Sequence, residues 1–387
     1  MALPSDEELN ALRELGDPPV DAIVQAHFGS QPVGVGRLLG ELFSAPRMPD
    51  HPLIAAYLEA LPEIELQDPE RIKLGQGLFD LFGPEVLLIL GSCALPLAYA
   101  AGNGVQVVYR ARKLKEDPIK RLCDTAQMVI NVMQPGELQQ GGIGWYSARK
   151  TRLIHALIRF HTSSNPAQPW PPELGLPVNQ QDLTGTLLAF SIAVLQGLRK
   201  IGCQITAEEG NAYLHAWVQI GRMLGLNDAN LPKNEEEAMA LALRIGKRQI
   251  RATQEGKELN DQLLAAVGSV FHVPGYAASL SRFFLEGSAF GEDVAEKLQI
   301  PAPRLGWWLV KTRAMQKSWM LRLLEVVPGA RARRSRYVTV FLQQLLKGKR
   351  DGKGKVPFAI PHRLELRWGL HDSERKDERD EKRSTPD

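Results

Sequence analysis

Residues 149–161 read Arg-Lys-Thr-Arg-Leu-Ile-His-Ala-Leu-Ile-Arg-Phe-His. Arg152, His155 and Arg159 stand at i, i+3 and i+7, so a helix projects all three from one side. Leu153, Ile154, Leu157 and Ile158 lie between them, and this apolar interleaving predicts a largely buried helix. A buried arginine requires an anion. Two arginines flanking a histidine therefore call for negative charge close to that side of the helix.

Two arrangements answer that call. In one, acidic side chains of other helices pair with the arginines and His155 is a core histidine; the spacing, which is not a specific pattern, favours this reading. In the other, a haem occupies the site. Its iron takes the imidazole of His155, and its propionates take the guanidinium groups of Arg152 and Arg159 by charge-assisted hydrogen bonds.

Upstream, Arg121 and Thr125 are four residues apart and share a helix face, suited to the opposite wall of a pocket. A hydroxyl bonded back to its own helix is an equal reading of Thr125. Downstream, Asn179-Gln180-Gln181-Asp182 precedes an apolar run, and Asn179 or Asp182 is placed to cap it. The other histidines are scattered, and His161 is six residues from His155, on a different side of a regular helix. The sequence has no His-Glu-x-x-His pair, Walker loop, Rossmann glycine fingerprint or Gly-x-Ser-x-Gly elbow.

The elements that must position these residues read as helices almost throughout. Ser5-x-x-Glu8 opens the first as a capping box. Helical apolar spacing runs over 64–82, with Pro84 expected as its stop, and over 119–132 with Leu122, Ala126 and Val129 on one side. After the Gly141-Gly142 breaker, 147–162 is the next helix, and the proline-rich 165–177 is a loop. One strongly apolar helix is expected over 182–201, another over 207–224 with Gly225 as its stop. Asn234-x-x-Glu237 caps a helix expected to reach about residue 259. Residues 262–284 hold one or two more, broken near Pro274-Gly275, and 305–327 a further one. Residues 337–346 read better as helix than strand.

The composition is that of a soluble globular chain, with 44% hydrophobic and 24% charged residues. A net charge of +3 gives no general reason to expect nucleic acid as a partner. Cys93, Cys123 and Cys203 match no zinc spacing and are too few for a disulfide framework. The acidic start lacks the basic and apolar regions of a signal peptide, so a cytoplasmic location is expected. Residues 86–109 carry no charge, but Gly91, Pro96, Gly102 and Gly104 interrupt them. A buried core helix followed by a turn explains this stretch better than a membrane span; peripheral membrane contact is left open, as is the oligomeric state. The expectation is an all-α chain with one large helical domain. It divides into an N-terminal helical extension (1–79), a core (80–290), a C-terminal helical extension (291–365) and a disordered charged tail (366–387).

Taken in order, five segments resemble the latex clearing protein family of rubber oxygenases, which includes the catalytic domain of the mycophenolic-acid-pathway oxygenase. They are Ser92-x-x-Leu95-Pro96-x-x-Tyr99-Ala100, Arg121-Leu-Cys-Asp-Thr125, Arg152-Leu-Ile-His155-Ala-Leu-Ile-Arg159, Asn179-Gln180-Gln181-Asp182 with Phe190-Ser191, and Trp217-x-x-x-Gly221-Arg222-x-Leu224-Gly225. Each is loose; together they span roughly residues 80–285.

The resemblance implies a globin-like helical core holding haem b, with His155 as the iron ligand and Arg152 and Arg159 beside the haem. It implies Arg121 and Thr125 on the distal side, with dioxygen and a hydrophobic isoprenoid, terpenoid or lipid as the reacting partners. Two departures bear on the reaction. Asp124 stands where the polyisoprene-cleaving members have a lysine, and residues 104–109 lack their upstream glutamate. Asp124, if it faces the pocket, is the candidate proton carrier. These departures leave open a haem protein without oxygenase turnover, such as a gas sensor or carrier, and a helical scaffold without haem.

Overall fold

The computed structural model describes residues 3–29, 33–44, 48–112, 118–271, 273–288, 290, 293–327 and 329–347. The charged tail expected over 366–387 lies outside the described residues. Among those described there is no strand, only an isolated antiparallel bridge between Ala101 and Ile250.

In chain order the helices are α1 (Asp6–Arg13), α2 (Pro18–Phe28), α3 (Val35–Ser44), α4 (Pro52–Ala60), α5 (Pro69–Ile89), α6 (Leu95–Ala100), α7 (Val105–Arg112), α8 (Pro118–Val132) and α9 (Ile143–Ser163). There follow α10 (Gln180–Phe190), α11 (Ile192–Lys200), α12 (Ala207–Met223), α13 (Glu235–Gln249), α14 (Gln254–Phe271), α15 (Tyr276–Leu285), α16 (Val294–Lys297), α17 (Arg304–Val326) and α18 (Ala330–Lys347). The starts follow the capping residues. Ser5 with Glu8 and Thr206 with Glu209 form complete capping boxes, while Asn179 and Asn234 each accept a backbone N–H of the first turn.

Several boundaries differ from the sequence reading, and four of them show a local reason. The helix expected from residue 64 begins at Pro69, a favourable first-turn proline behind the Asp68 cap. Pro84 does not end it. Phe82 leaves helical geometry (φ −125°, ψ 19°), and this kink takes up the clash that proline would otherwise cause. A single π-helical turn, Leu90–Ala94, then joins α5 to α6. Ser191 (φ −107°, ψ −78°) splits the helix expected over 182–201, its hydroxyl donating to the Leu187 carbonyl at 2.8 Å. The helix expected to reach residue 259 stops at Gln249, where tertiary hydrogen bonds replace helical ones. Gly102 N donates to the Gln249 carbonyl at 2.9 Å and Arg251 N to that of Ala100 at 3.1 Å.

The main apolar core gathers residues from α5, α6 and α8 through α17 around Phe79, Ile89, Leu195 and Tyr213. α5 and α12 approach so closely that a Cβ on Gly75 would lie 2.2 Å from the Ala212 carbonyl oxygen. A second core joins α2, α3 and α4 to one side of α9, with Tyr57 and Leu153 fully buried. α9 therefore lies between the two cores. Among the described residues one helical stretch, Pro69–Ala100, is long and apolar enough to cross a membrane, but 72% of its most apolar window is buried inside the protein.

Candidate functional site

α8 and α9 pack as a hairpin whose turn is organised by Glu137. Its carbonyl accepts from Trp145 N and its carboxylate from Ile143 N, both at 2.8 Å, so two free N–H groups at the start of α9 are satisfied. Deeper in the pair, Gln127 Nε2 donates to Asn131 Oδ1 and Asn131 Nδ2 to Ser147 Oγ, each at 2.7 Å. This polar ladder fixes the register of the two helices and lies on the wall of a cavity of about 530 Å³.

The cavity brings together three of the six residues singled out in the sequence. Asp124 and Thr125 border it from α8 and His155 from α9. Arg121 lies in α8, but its side chain is outside the described residues. The rest of the wall is mostly apolar and includes Leu95, Leu97, Met128, Ile154, Phe190 and Trp217.

His155 keeps some accessible surface, and that surface faces the cavity. Its Nδ1 is buried with no hydrogen-bond partner. Burial, together with the positive charge of Arg159, lowers its pKa from 6.5 to about 4. The imidazole is therefore neutral near pH 7, the form that binds a metal ion.

Arg152 and Arg159 are not on the cavity wall. Their guanidinium groups turn instead toward the N-terminal segment. Arg152 meets Asp17 with Nε–Oδ2 at 2.6 Å and Nη2–Oδ1 at 2.8 Å. Arg159 Nε lies 2.9 and 3.0 Å from the two oxygens of Asp21, and Nη1 donates to the Val178 carbonyl at 2.5 Å. The anions these arginines require are thus aspartates at the start of α2, Asp17 buried and Asp21 half-buried. Burial opposes the charge on Arg152, yet the hydrogen bonds and charge of Asp17 outweigh it and raise its pKa.

The sequence reading missed several polar residues of the wall. Gln181 is 0% exposed, and both atoms of its amide lack partners. Its neighbours are committed elsewhere: Gln180 Nε2 donates to the carbonyls of Gly16 and Gly225, and Asn179 caps α10. Asp182, read only as a capping candidate, also borders the cavity and pairs with Arg13 at 2.9 Å. Burial raises its pKa despite Arg13, Asn179 and Arg251. Gln249, at the end of α13, adds a further unpartnered oxygen. The signal available in the sequence was the run Asn179–Asp182: four polar residues cannot all face solvent at the first turn of a buried helix.

The sequence profile of the family described as ER-bound oxygenase mpaB/B'/rubber oxygenase, catalytic domain, matches residues 77–344. The chain belongs to this family. A curated relative, the rubber oxygenase of Streptomyces sp. (strain K30), is 26% identical over 153 residues, which are 39% of this chain and 37% of that protein. The chain thus matches little more than a third of that relative's length. Among solved structures, latex clearing protein in its closed state superposes with a TM-score of 0.65 at 19% identity, covering 86% of this chain and 91% of that one. That likeness establishes the all-helical fold. The family match extends from α5 into α18, so it includes both helices of the hairpin and most of the cavity wall.

Proposed function

We propose that this protein is a haem b-dependent oxygenase that uses dioxygen on a hydrophobic isoprenoid, terpenoid or lipid substrate, with His155 as the iron ligand. The observation that carries the reading is His155 itself, a neutral imidazole bordering a largely apolar cavity, in a chain of the oxygenase family. Among the described residues no three His, Cys, Asp or Glu side chains converge as a metal site. A single imidazole instead suits a metal whose other positions a macrocycle fills.

The residues present fit such a group, with one revision. Arg152 and Arg159 serve the aspartates of α2, so Gln181, whose amide is unpartnered on the cavity wall, is the group suited to its carboxylates. When bound, haem supplies the redox chemistry with dioxygen. The protein supplies the surroundings. Leu95, Leu97, Met128 and Phe190 exclude water and receive a hydrocarbon chain. Thr125 offers a hydroxyl on the α8 side, and Asp124 beside it is the group there that can carry a proton.

A haem protein without turnover is the second reading, favoured by Asp124 standing at the family's lysine position. Oxygen consumption by the reduced protein separates the two. Uptake that begins only when an isoprenoid is added supports the oxygenase, and none with any isoprenoid supports the carrier or sensor.

A further inference from the structure

α17 presents large apolar side chains on the side facing away from the protein. Leu305, Trp308, Met315 and Trp319 are 70%, 63%, 64% and 72% exposed. At 100° per residue they fall within an arc of about 80°. The opposite side carries the buried Gly306, Val310 and Leu321 and packs on α15. A surface helix ordinarily turns charged residues outward, whereas here both sides are apolar. The outer stripe is flanked by Arg304 and Lys311, both exposed. Between Arg304 and Lys347 there are ten Lys or Arg residues, and Glu325 is the sole acid. α18 adds Tyr337, 62% exposed.

We propose that this face of α17 docks the protein on an anionic lipid surface. Tryptophan and tyrosine sit at the boundary between headgroups and acyl chains, where an apolar ring and a polar N–H or O–H are both accommodated. Clustered lysine and arginine are attracted to anionic headgroups, and amphipathic helices of this composition lie in that plane. The charge argues against a second copy of the chain as occupant, because two such faces repel. The face is firmly mounted: Lys317 Nζ and Arg334 Nη2 lie 2.5 and 2.7 Å from Glu85 Oε1, tying α17 and α18 to α5. This surface is independent of the haem reading and does not require it.

The test is flotation of the full chain with vesicles of phosphatidylcholine containing about 30% phosphatidylglycerol. The chain is expected to float with these vesicles and to bind several-fold less to pure phosphatidylcholine or in about 0.5 M salt. Trp308→Ser with Trp319→Ser, and separately Arg304→Glu with Lys311→Glu, are each expected to weaken binding about tenfold. All four side chains are exposed, so the melting temperature should fall by only a few degrees, which separates lost binding from lost folding. Two results overturn the proposal. One is wild-type protein that stays unbound at low salt, as it would if residues 348–387 or a second copy covered the face. The other is double variants that float like the wild type.

Discussion

Arg152 and Asp17 form a two-pronged ion pair, with Nε–Oδ2 at 2.6 Å and Nη2–Oδ1 at 2.8 Å, that fastens the start of α2 to α9 one turn before His155. One turn after it, Arg159 meets Asp21 through Nε alone, while its Nη1 donates to the Val178 carbonyl. The helix carrying His155 is therefore held from its outer side by two aspartates 135 and 138 residues earlier in the chain. The arginines of the motif position the histidine through the framework and leave the cavity to other groups.

Removing Asp17 leaves a buried guanidinium without its anion. Asp17→Ala is expected to cost about 3 kcal/mol in urea unfolding, within the usual range for a broken buried pair. Adding Arg152→Met should recover part of that loss, since replacing both partners removes the unpaired charge. A cost under about 0.5 kcal/mol, typical of an exposed pair, would sink this account of the clamp.

His155 makes stability depend on pH in the haem-free protein. The unfolded imidazole titrates near 6.5 and the folded one at about 4. Between these values the unfolded chain binds the extra proton, so stability is full above about pH 6.5 and declines as pH falls toward 4. The loss is on the order of 3 kcal/mol at most. Melting curves across this window should show a flatter slope for His155→Gln than for wild type; equal slopes would mean that His155 is not held neutral by burial.

Gln181 keeps an unpaired amide in the cavity wall. Gln181→Leu, of similar size and apolar, is expected to stabilise the ligand-free protein by about 1 kcal/mol, because the uncompensated desolvation disappears. The same change should weaken retention of a bound carboxylate-bearing group. A variant less stable than wild type in the ligand-free form contradicts the assignment of Gln181 to ligand binding.

Gly75 permits the closest helix contact in the core. Gly75→Ala would drive a Cβ to 2.2 Å from the Ala212 carbonyl oxygen, a backbone atom that cannot step aside. The expected cost is about 2–3 kcal/mol, read as a lower midpoint in urea. Gly77, two residues on and about 200° around the helix, has open space around its Cβ direction and serves as the control; Gly77→Ala should be neutral or stabilising.

The sequence made most helices legible because caps and apolar spacing are local. Ser5 with Glu8, Asn234 and Gly225 mark their boundaries without tertiary information. The breaks at Ser191 and Ile250 escaped notice because neither contains glycine or proline. One depends on a hydroxyl bonding its own helix, the other on a distant strand-like pairing with Ala101. Pro84 misled because a kink, rather than an end, accommodates it.

At the site, His155, Thr125 and Asp124 could be found from spacing and family likeness. The aspartate partners of Arg152 and Arg159 could not, since nothing local links α2 to α9. The wall positions of Gln181 and Gln249 follow only from where α10 and α13 meet.

An absorption spectrum of the purified chain, before and after dithionite and with haem supplied, tests the central claim most directly. The account predicts a Soret band that shifts on reduction in the wild type and is lost in His155→Ala, while Thr125→Val keeps it. A wild-type chain with no Soret band after haem supplementation, or a His155→Ala variant with an unchanged band, would contradict it.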